Sequence, residues 1–270
     1  MTWMRPDVHD PLAQMSQQPS RLPWVPTLLY HNVVPVPPEN DPYRNYISTR
    51  LFESQMRWLA RRGYRTLSLS DLETVLDESN NGYGSGRQLV ITFDDGYRDN
   101  YLYAWPILKR YGFTATIFLV TDAIGGDNGY DEVYGYDRVP MLSVDEIREM
   151  HRGGIDFGSH TCSHPASLTE LSDAALKEEL EGSRSTIEAV LDRPVRYFAY
   201  PHHGVDDRVE RAVSRAGYRL ACAGGRSEFC RFCLPRLQPR LMRGALAEAQ
   251  IRWWELKWRV PGLNRIRLPC

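Results

Sequence analysis

The sequence predicts an α/β fold, either a parallel sheet or a (β/α) barrel, and three observations predict it. Seven short apolar runs read as strands: TLLYH (27–31), YRTLS (64–68), QLVITF (88–93), TATIFLV (114–120), IDFGS (155–159), RYFAYP (196–201) and YRLACA (218–223). Segments with helix punctuation alternate with them, and strand–helix alternation implies parallel strands joined by crossovers. The 270 residues, 42% hydrophobic and 25% charged, suffice for a buried core and exclude a disordered, collagen-like or disulfide-scaffold protein.

Taken in order, residues 1–24 form a polar, Pro-rich arm without the apolar stretch of a signal peptide, which predicts a cytoplasmic protein. The first strand ends at His31. Gly63 sits where a helix needs a left-handed cap, and Ser70 with Glu73 fits the capping box that opens the next helix. QLVITF runs straight into Asp94-Asp95-Gly96, and Gly112 closes the helix that follows. Residues 122–140, rich in Gly, Asp and Tyr, read as an insertion loop, a rim or lid over a site. A capping box at Ser143 and Glu146 opens a helix that Gly153 closes; IDFGS then leads into His160-Thr161-Cys162-Ser163-His164. Leu171–Leu191 is the longest helix candidate. RYFAYP ends at Pro201 before His202-His203-Gly204, and Gly217 precedes the last strand. The expected organisation is an arm (1–24), one catalytic domain (25–240) and a tail (241–270).

Net charge is −1, so no global field favours nucleic acid. Residues 231–270 are near +7 and hold Trp253, Trp254 and Trp258, against near −8 for the remainder. That tail is either a closing helix packed on the core or a peripheral contact with an anionic membrane face. No apolar run approaches the roughly 18 residues of a membrane span. Five cysteines include a CxxC at Cys230 and Cys233 without a second CxxC or CxxH, so reduced thiols are expected.

The chemistry gathers at strand ends, where α/β barrels keep their sites. His31, Asp94, Asp95, His160, His164 and one of His202 and His203 can meet on one face. Taken alone, Asp-Asp-Gly is a common turn, and His160 with His164 is a pair able to share a helical face. Together they supply two imidazoles and a carboxylate for one divalent cation, with a second carboxylate to take a proton from water.

TFDDGY (92–97) and SHTCSH (159–164) resemble the first two motifs of the polysaccharide deacetylases, the NodB-homology domain of carbohydrate esterase family 4, and FAYPHHG (198–204) resembles the third. TLLYHNVVP and FESQMRWLARRGYRTLSLSDL (52–72) resemble the circularly permuted branch that acts on poly-N-acetylglucosamine. The resemblance implies a single-domain, deformed (β/α) barrel that hydrolyses the N-acetyl group of an amino sugar in a glycan or glycan precursor. It assigns Asp95, His160 and His164 to one divalent metal ion, usually zinc, and Asp94 to the catalytic base. No histidine follows His203; the resemblance to the permuted branch, whose equivalent histidine lies in the YH element, makes His31 the expected general acid, with His202 and His203 its rivals and its ionisation setting the alkaline limb of the rate profile. Tyr97, Pro201, His202 and His203 are the expected substrate-binding residues. The competing readings are a non-catalytic carbohydrate-binding protein on the same barrel and a hydrolase of a non-sugar amide.

Overall fold

The computed structural model describes residues 25–77, 87–223 and 230–239. The expected arm (1–24) and tail (241–270) lie outside them. Seven strands form one continuous parallel sheet in the order β1 (Thr27–Tyr30), β5 (Gln88–Phe93), β6 (Thr116–Leu119), β7 (Asp156–Ser159), β8 (Tyr197–Ala199), β9 (Leu220–Ala223) and β10 (Leu234–Pro235). A short β4 (Arg65–Thr66) flanks β5. Just past β10, Leu237 forms a parallel bridge with Leu28, the amide of Leu29 donating to the Leu237 carbonyl and that of Leu237 to the Thr27 carbonyl. The sheet thereby closes on itself. The fold is the deformed (β/α) barrel.

Among the described residues six α-helices follow the strands: α1 (Thr49–Arg61), α2 (Leu69–Asp77), α3 (Trp105–Tyr111), α4 (Val144–Arg152), α5 (Asp173–Leu191) and α6 (Asp207–Arg215). The period-2 alternation of strand side chains divides the core into two layers. Leu89, Ile91, Phe93, Ile117, Phe157 and Phe198 pack outward with helix residues such as Phe52, Ile147 and Leu180. Val90, Phe118, Tyr197, Ala199, Leu220 and Leu234 fill the barrel, and Leu69, Leu72 and Leu76 of α2 join them. Gly158 of β7 makes room for that filling. A Cβ there would lie 2.6 Å from the ring of Phe118 and 2.7 Å from the Tyr197 carbonyl.

Several local expectations need correction. Helix α2 starts two residues early: Ser68 and Asp71 make the reciprocal cap, rather than Ser70 and Glu73. Glu73 instead faces the barrel, receiving bonds from Tyr197 and Arg219. The Ser143–Glu146 box is present. Gly63, Gly112 and Gly217 hold positive φ, whereas after α4 the left-handed residue is Gly154 (φ 91) and not Gly153. The excursion from β1 to α1 contains an additional parallel pair, β2 (Asn32–Val34) and β3 (Tyr46–Ser48). Residues 231–239, assigned by charge to a basic segment, belong to the barrel and supply its last strand. Among the described residues no helix is long and apolar enough to cross a membrane.

Candidate functional site

Each strand hands its polar residue to the same end of the barrel. The ladder that pairs β1 with β5 runs one residue further, the Asp94 amide donating to the Tyr30 carbonyl (3.0 Å). Because Val90 faces the barrel interior, the two-residue period carries Thr92 and Asp94 to the same side. The chain then turns sharply: Asp95 has φ 74 and Gly96 φ 86, and a Cβ on Gly96 would sit 2.6 Å from Leu119. Glycine is needed at that close approach.

After β7 the backbone departs from expectation. His160 and His164 do not share a helical face; they bracket an irregular turn in which Thr161 has φ 74 and His164 φ 57. Glu179 of α5 holds that turn, accepting from the amides of Cys162 (2.8 Å) and Ser163 (3.0 Å) and from the Ser163 hydroxyl. Asp95, Thr161, His164, His202 and His203 are five of the seven non-glycine residues with positive φ among those described. Backbone strain is thus concentrated where the polar side chains converge, as at a functional site.

The convergence is close. Asp95 Oδ1 lies 3.5 Å from His160 Nε2 and 3.6 Å from His164 Nε2, and the three residues are buried. The Nδ1–H of His160 donates to the Ala199 carbonyl (2.8 Å), so its Nε2 carries a lone pair. That lone pair faces a carboxylate oxygen, Asp95 Oδ1, which is itself buried without a hydrogen-bond partner. Acceptors aimed at one another at this separation call for a positive charge between them, a proton or a metal ion. Burial, reinforced by the carboxylates of Asp131 and Asp94, pushes the Asp95 carboxyl well above its ordinary range, and a metal ion is the charge that would keep it ionised. Burial likewise keeps His160 and His164 neutral, as metal ligation requires. The residues fit one divalent ion held by Asp95, His160 and His164.

Asp94 is held differently. Arg236, fully buried just past β10, donates two parallel bonds to its carboxylate, at 2.6 Å to Oδ1 and 2.7 Å to Oδ2. Burial alone would raise the Asp94 carboxyl, but the guanidinium outweighs it and drives the group below the usual carboxylate range. Asp94 Oδ2 stands 4.0 Å from His160 Nε2. An ionised carboxylate therefore borders the candidate metal position without belonging to its ligand set.

Above these groups opens a cavity of about 410 Å³ that His31, His202 and His203 also line. Its wall includes Asp131, Tyr134 and Tyr136 of the insertion loop, which forms a rim as expected, and Tyr43 and Asn45 from the β2–β3 excursion. The two segments are tied together, the Tyr136 hydroxyl donating to Asp41 and accepting from the Tyr43 amide (3.1 Å each). Tyr134 meets His202 at 3.2 Å. Tyr97 is not in the cavity wall. It is buried behind the site, where its hydroxyl donates to Asp131 (2.6 Å) and so fixes a rim carboxylate. Pro201 is also buried and shapes the turn that exposes the two histidines. Burial pushes the His31 imidazole down to about 3, although the Asp94 carboxylate pulls the other way. His31 is neutral at pH 7.

Sequence reasoning missed Arg236, Glu179, Asp131 and the Tyr43–Asn45 segment. Only Asp131 carried a signal, as an acidic residue in a loop already read as a rim. Glu179 supports the ligand turn from one shell out, so Glu179→Ala is expected to lower metal affinity about 10–100-fold. Competition with a chromogenic chelator measures this, and unchanged affinity would show that the turn holds itself.

Comparison with known proteins matches this arrangement. Residues 81–221, more than half of the chain, match the family model for polysaccharide deacetylase. The Bacillus subtilis (strain 168) protein YxkH is 28% identical over 205 residues, which are 76% of this chain and 65% of that protein. The poly-beta-1,6-N-acetyl-D-glucosamine N-deacetylase of Staphylococcus aureus is 28% identical over 185 residues, 65% of this chain and 60% of the enzyme. This chain thus spans less than two thirds of either relative. The structure of the Streptococcus pyogenes deacetylase PplD in complex with acetate superposes with a TM-score of 0.67 at 26% identity, covering 79% of this chain and 91% of that one.

Proposed function

The chain belongs to the polysaccharide deacetylase family, and on that premise we propose that it hydrolyses the N-acetyl group of an amino sugar in a glycan or glycan precursor, releasing acetate and the free amine. One observation carries the reading: three buried acceptors, on Asp95, His160 and His164, point at a common position beside an ionised carboxylate at the floor of an open cavity. A divalent ion there, zinc in our reading, supplies an electrophile for the amide carbonyl and an acidified water. The chain's own residues supply the rest. Asp94, kept ionised and oriented by Arg236, accepts the proton of the attacking water at its unshared lone pairs. The leaving nitrogen must receive a proton, and His31, His202 and His203 are the cavity-wall groups able to deliver it. Tyr43, Tyr134 and Tyr136 offer aromatic faces, and Asn45 amide groups, to a sugar at the rim.

Because His31 is neutral in the free protein, its role as acid requires that it take up the proton during turnover. His31→Ala is therefore expected to cut turnover by about two to four orders of magnitude. An ionisation at about 3 cannot set the alkaline limb of kcat/KM, so that limb should survive the substitution, contrary to the expectation from sequence. Near-normal turnover beside an inactive His202→Ala or His203→Ala would move the role elsewhere, whereas a disappearing limb would keep His31 as the acid and show that its ionisation is not depressed.

Acetate release from short N-acetylglucosamine oligomers, β-1,6-linked ones first because of the Staphylococcus relative, tests the function. Release is expected to stop in chelator and return with zinc. Release unaffected by chelator, or absent from every oligomer and precursor with metal supplied, would overturn it.

A further inference from the structure

Outside the barrel, a second cluster of metal-binding side chains is left unused by the chemistry above. Cys230 and Cys233 flank the turn that leads into β10, where the Cys233 amide donates to the Cys230 carbonyl (3.0 Å). Cys233 is buried and Cys230 half-buried. Both thiols meet one carboxylate, Glu210 of α6. Cys230 Sγ is 3.9 Å from Oε1, and Cys233 Sγ is 3.6 Å from Oε2. One ligand atom from each of the three lies within 4.8 Å of the others, and none of the three lines the catalytic cavity.

These separations carry the argument. Around a tetrahedral zinc with bonds of about 2.3 Å to sulfur and about 2.0–2.2 Å to oxygen, neighbouring ligand atoms stand roughly 3.5–3.8 Å apart. The sulfur–oxygen distances here are already close to that range, so small side-chain adjustments would close the three on a single ion. Two sulfurs make a soft donor set, which selects zinc-like ions over magnesium or calcium. The sequence carries no second CxxC or CxxH at ribbon spacing because the third ligand comes from a helix, 20 positions upstream of Cys230.

We propose that Glu210, Cys230 and Cys233 form a second metal site, for a divalent ion of the zinc class, with water completing the tetrahedron. Binding converts both thiols to thiolates and passes their two protons to solvent; nothing is oxidised. The bound ion clips the segment before β10 to α6. Arg236 lies three residues beyond Cys233, so the clip also anchors the strand that presents the guanidinium to Asp94.

Cobalt(II) loaded into the reduced full-length chain tests this, because only a thiolate ligand produces a near-ultraviolet sulfur-to-cobalt charge-transfer band. The expected result is that band together with two metal equivalents per chain by elemental analysis. His160→Ala with His164→Ala should remove one equivalent and keep the band. Cys230→Ser with Cys233→Ser should remove the band and the other equivalent, and abolish the rise in Tm that this second equivalent confers. Should the serine variant fail to fold, Glu210→Ala, which leaves both thiols in place, is expected to lose the band or shift it. Three results would overturn the proposal: no near-ultraviolet band in the wild-type chain, an unchanged band and metal count in the folded variants, or a Cys230–Cys233 disulfide that forms in air despite excess zinc.

Discussion

Asp94→Asn is expected to lower turnover by about two to four orders of magnitude, the contribution of a positioned general base, while leaving the metal content unchanged. Asp94 stands beside the Asp95–His160–His164 group and is not one of its members, so metal binding does not depend on its charge. His160→Ala provides the contrast, losing metal and activity together. Elemental analysis set against acetate release separates the two variants. Metal loss in Asp94→Asn would place Asp94 among the ligands and leave the base unassigned.

Arg236→Met is the second large effect, and it acts on stability as well as rate. Removing one partner of a buried pair leaves an uncompensated charge, at a cost of about 3–5 kcal/mol; here the orphan is the Asp94 carboxylate, closed in beneath the cavity. The sign with pH follows from the direction of the shift. Asp94 is depressed below its ordinary 3.8 in the folded protein. The pair's contribution is thus fully present above that ordinary value and lost as pH falls through the depressed one. Without Arg236 the largest influence lowering Asp94 is gone, and burial raises its carboxyl relative to the intact protein. The acid limb of kcat/KM should therefore move upward, with turnover partly recovered at higher pH. Combining Asp94→Asn with Arg236→Met removes both charges, and is expected to restore much of the stability and none of the activity. Urea melts and a rate–pH profile on the three variants check the cycle. An unshifted acid limb in Arg236→Met would show that the guanidinium does not tune the base.

The barrel and most of its candidate site were legible in the chain itself, for reasons that operate over a few residues. Apolar runs of strand length alternate with capped helices, and that order allows little but a parallel sheet. Asp94 and His160 each follow a strand directly, with Asp95 and His164 in the turns just beyond, so knowing the strands places them at one end of the barrel. What neighbouring residues could not decide was orientation. His160 and His164 have helical spacing, yet Thr161 and His164 adopt positive φ because Glu179, from the following helix, ties down the amides between them. Tyr97 belongs to the same six-residue motif as Asp94, but the turn at Gly96 sends it behind the cavity to Asp131.

Arg236 marks the limit most clearly. It is one of eight arginines between 231 and 270, and nothing in its surroundings distinguishes it from a solvated surface charge. Its partner lies 142 positions away. The two meet because the chain past β10 pairs with β1 at Leu28 and Leu237, closing the barrel and turning alternate side chains of that segment inward. Glu210 and the CxxC are likewise brought together by the tertiary fold, from a helix and the turn that precedes β10. Local patterns of polarity determined which polar residues stand at the strand ends. Barrel closure, a contact between the two ends of the domain, decided which of them are ionised, which are neutral and which face one another.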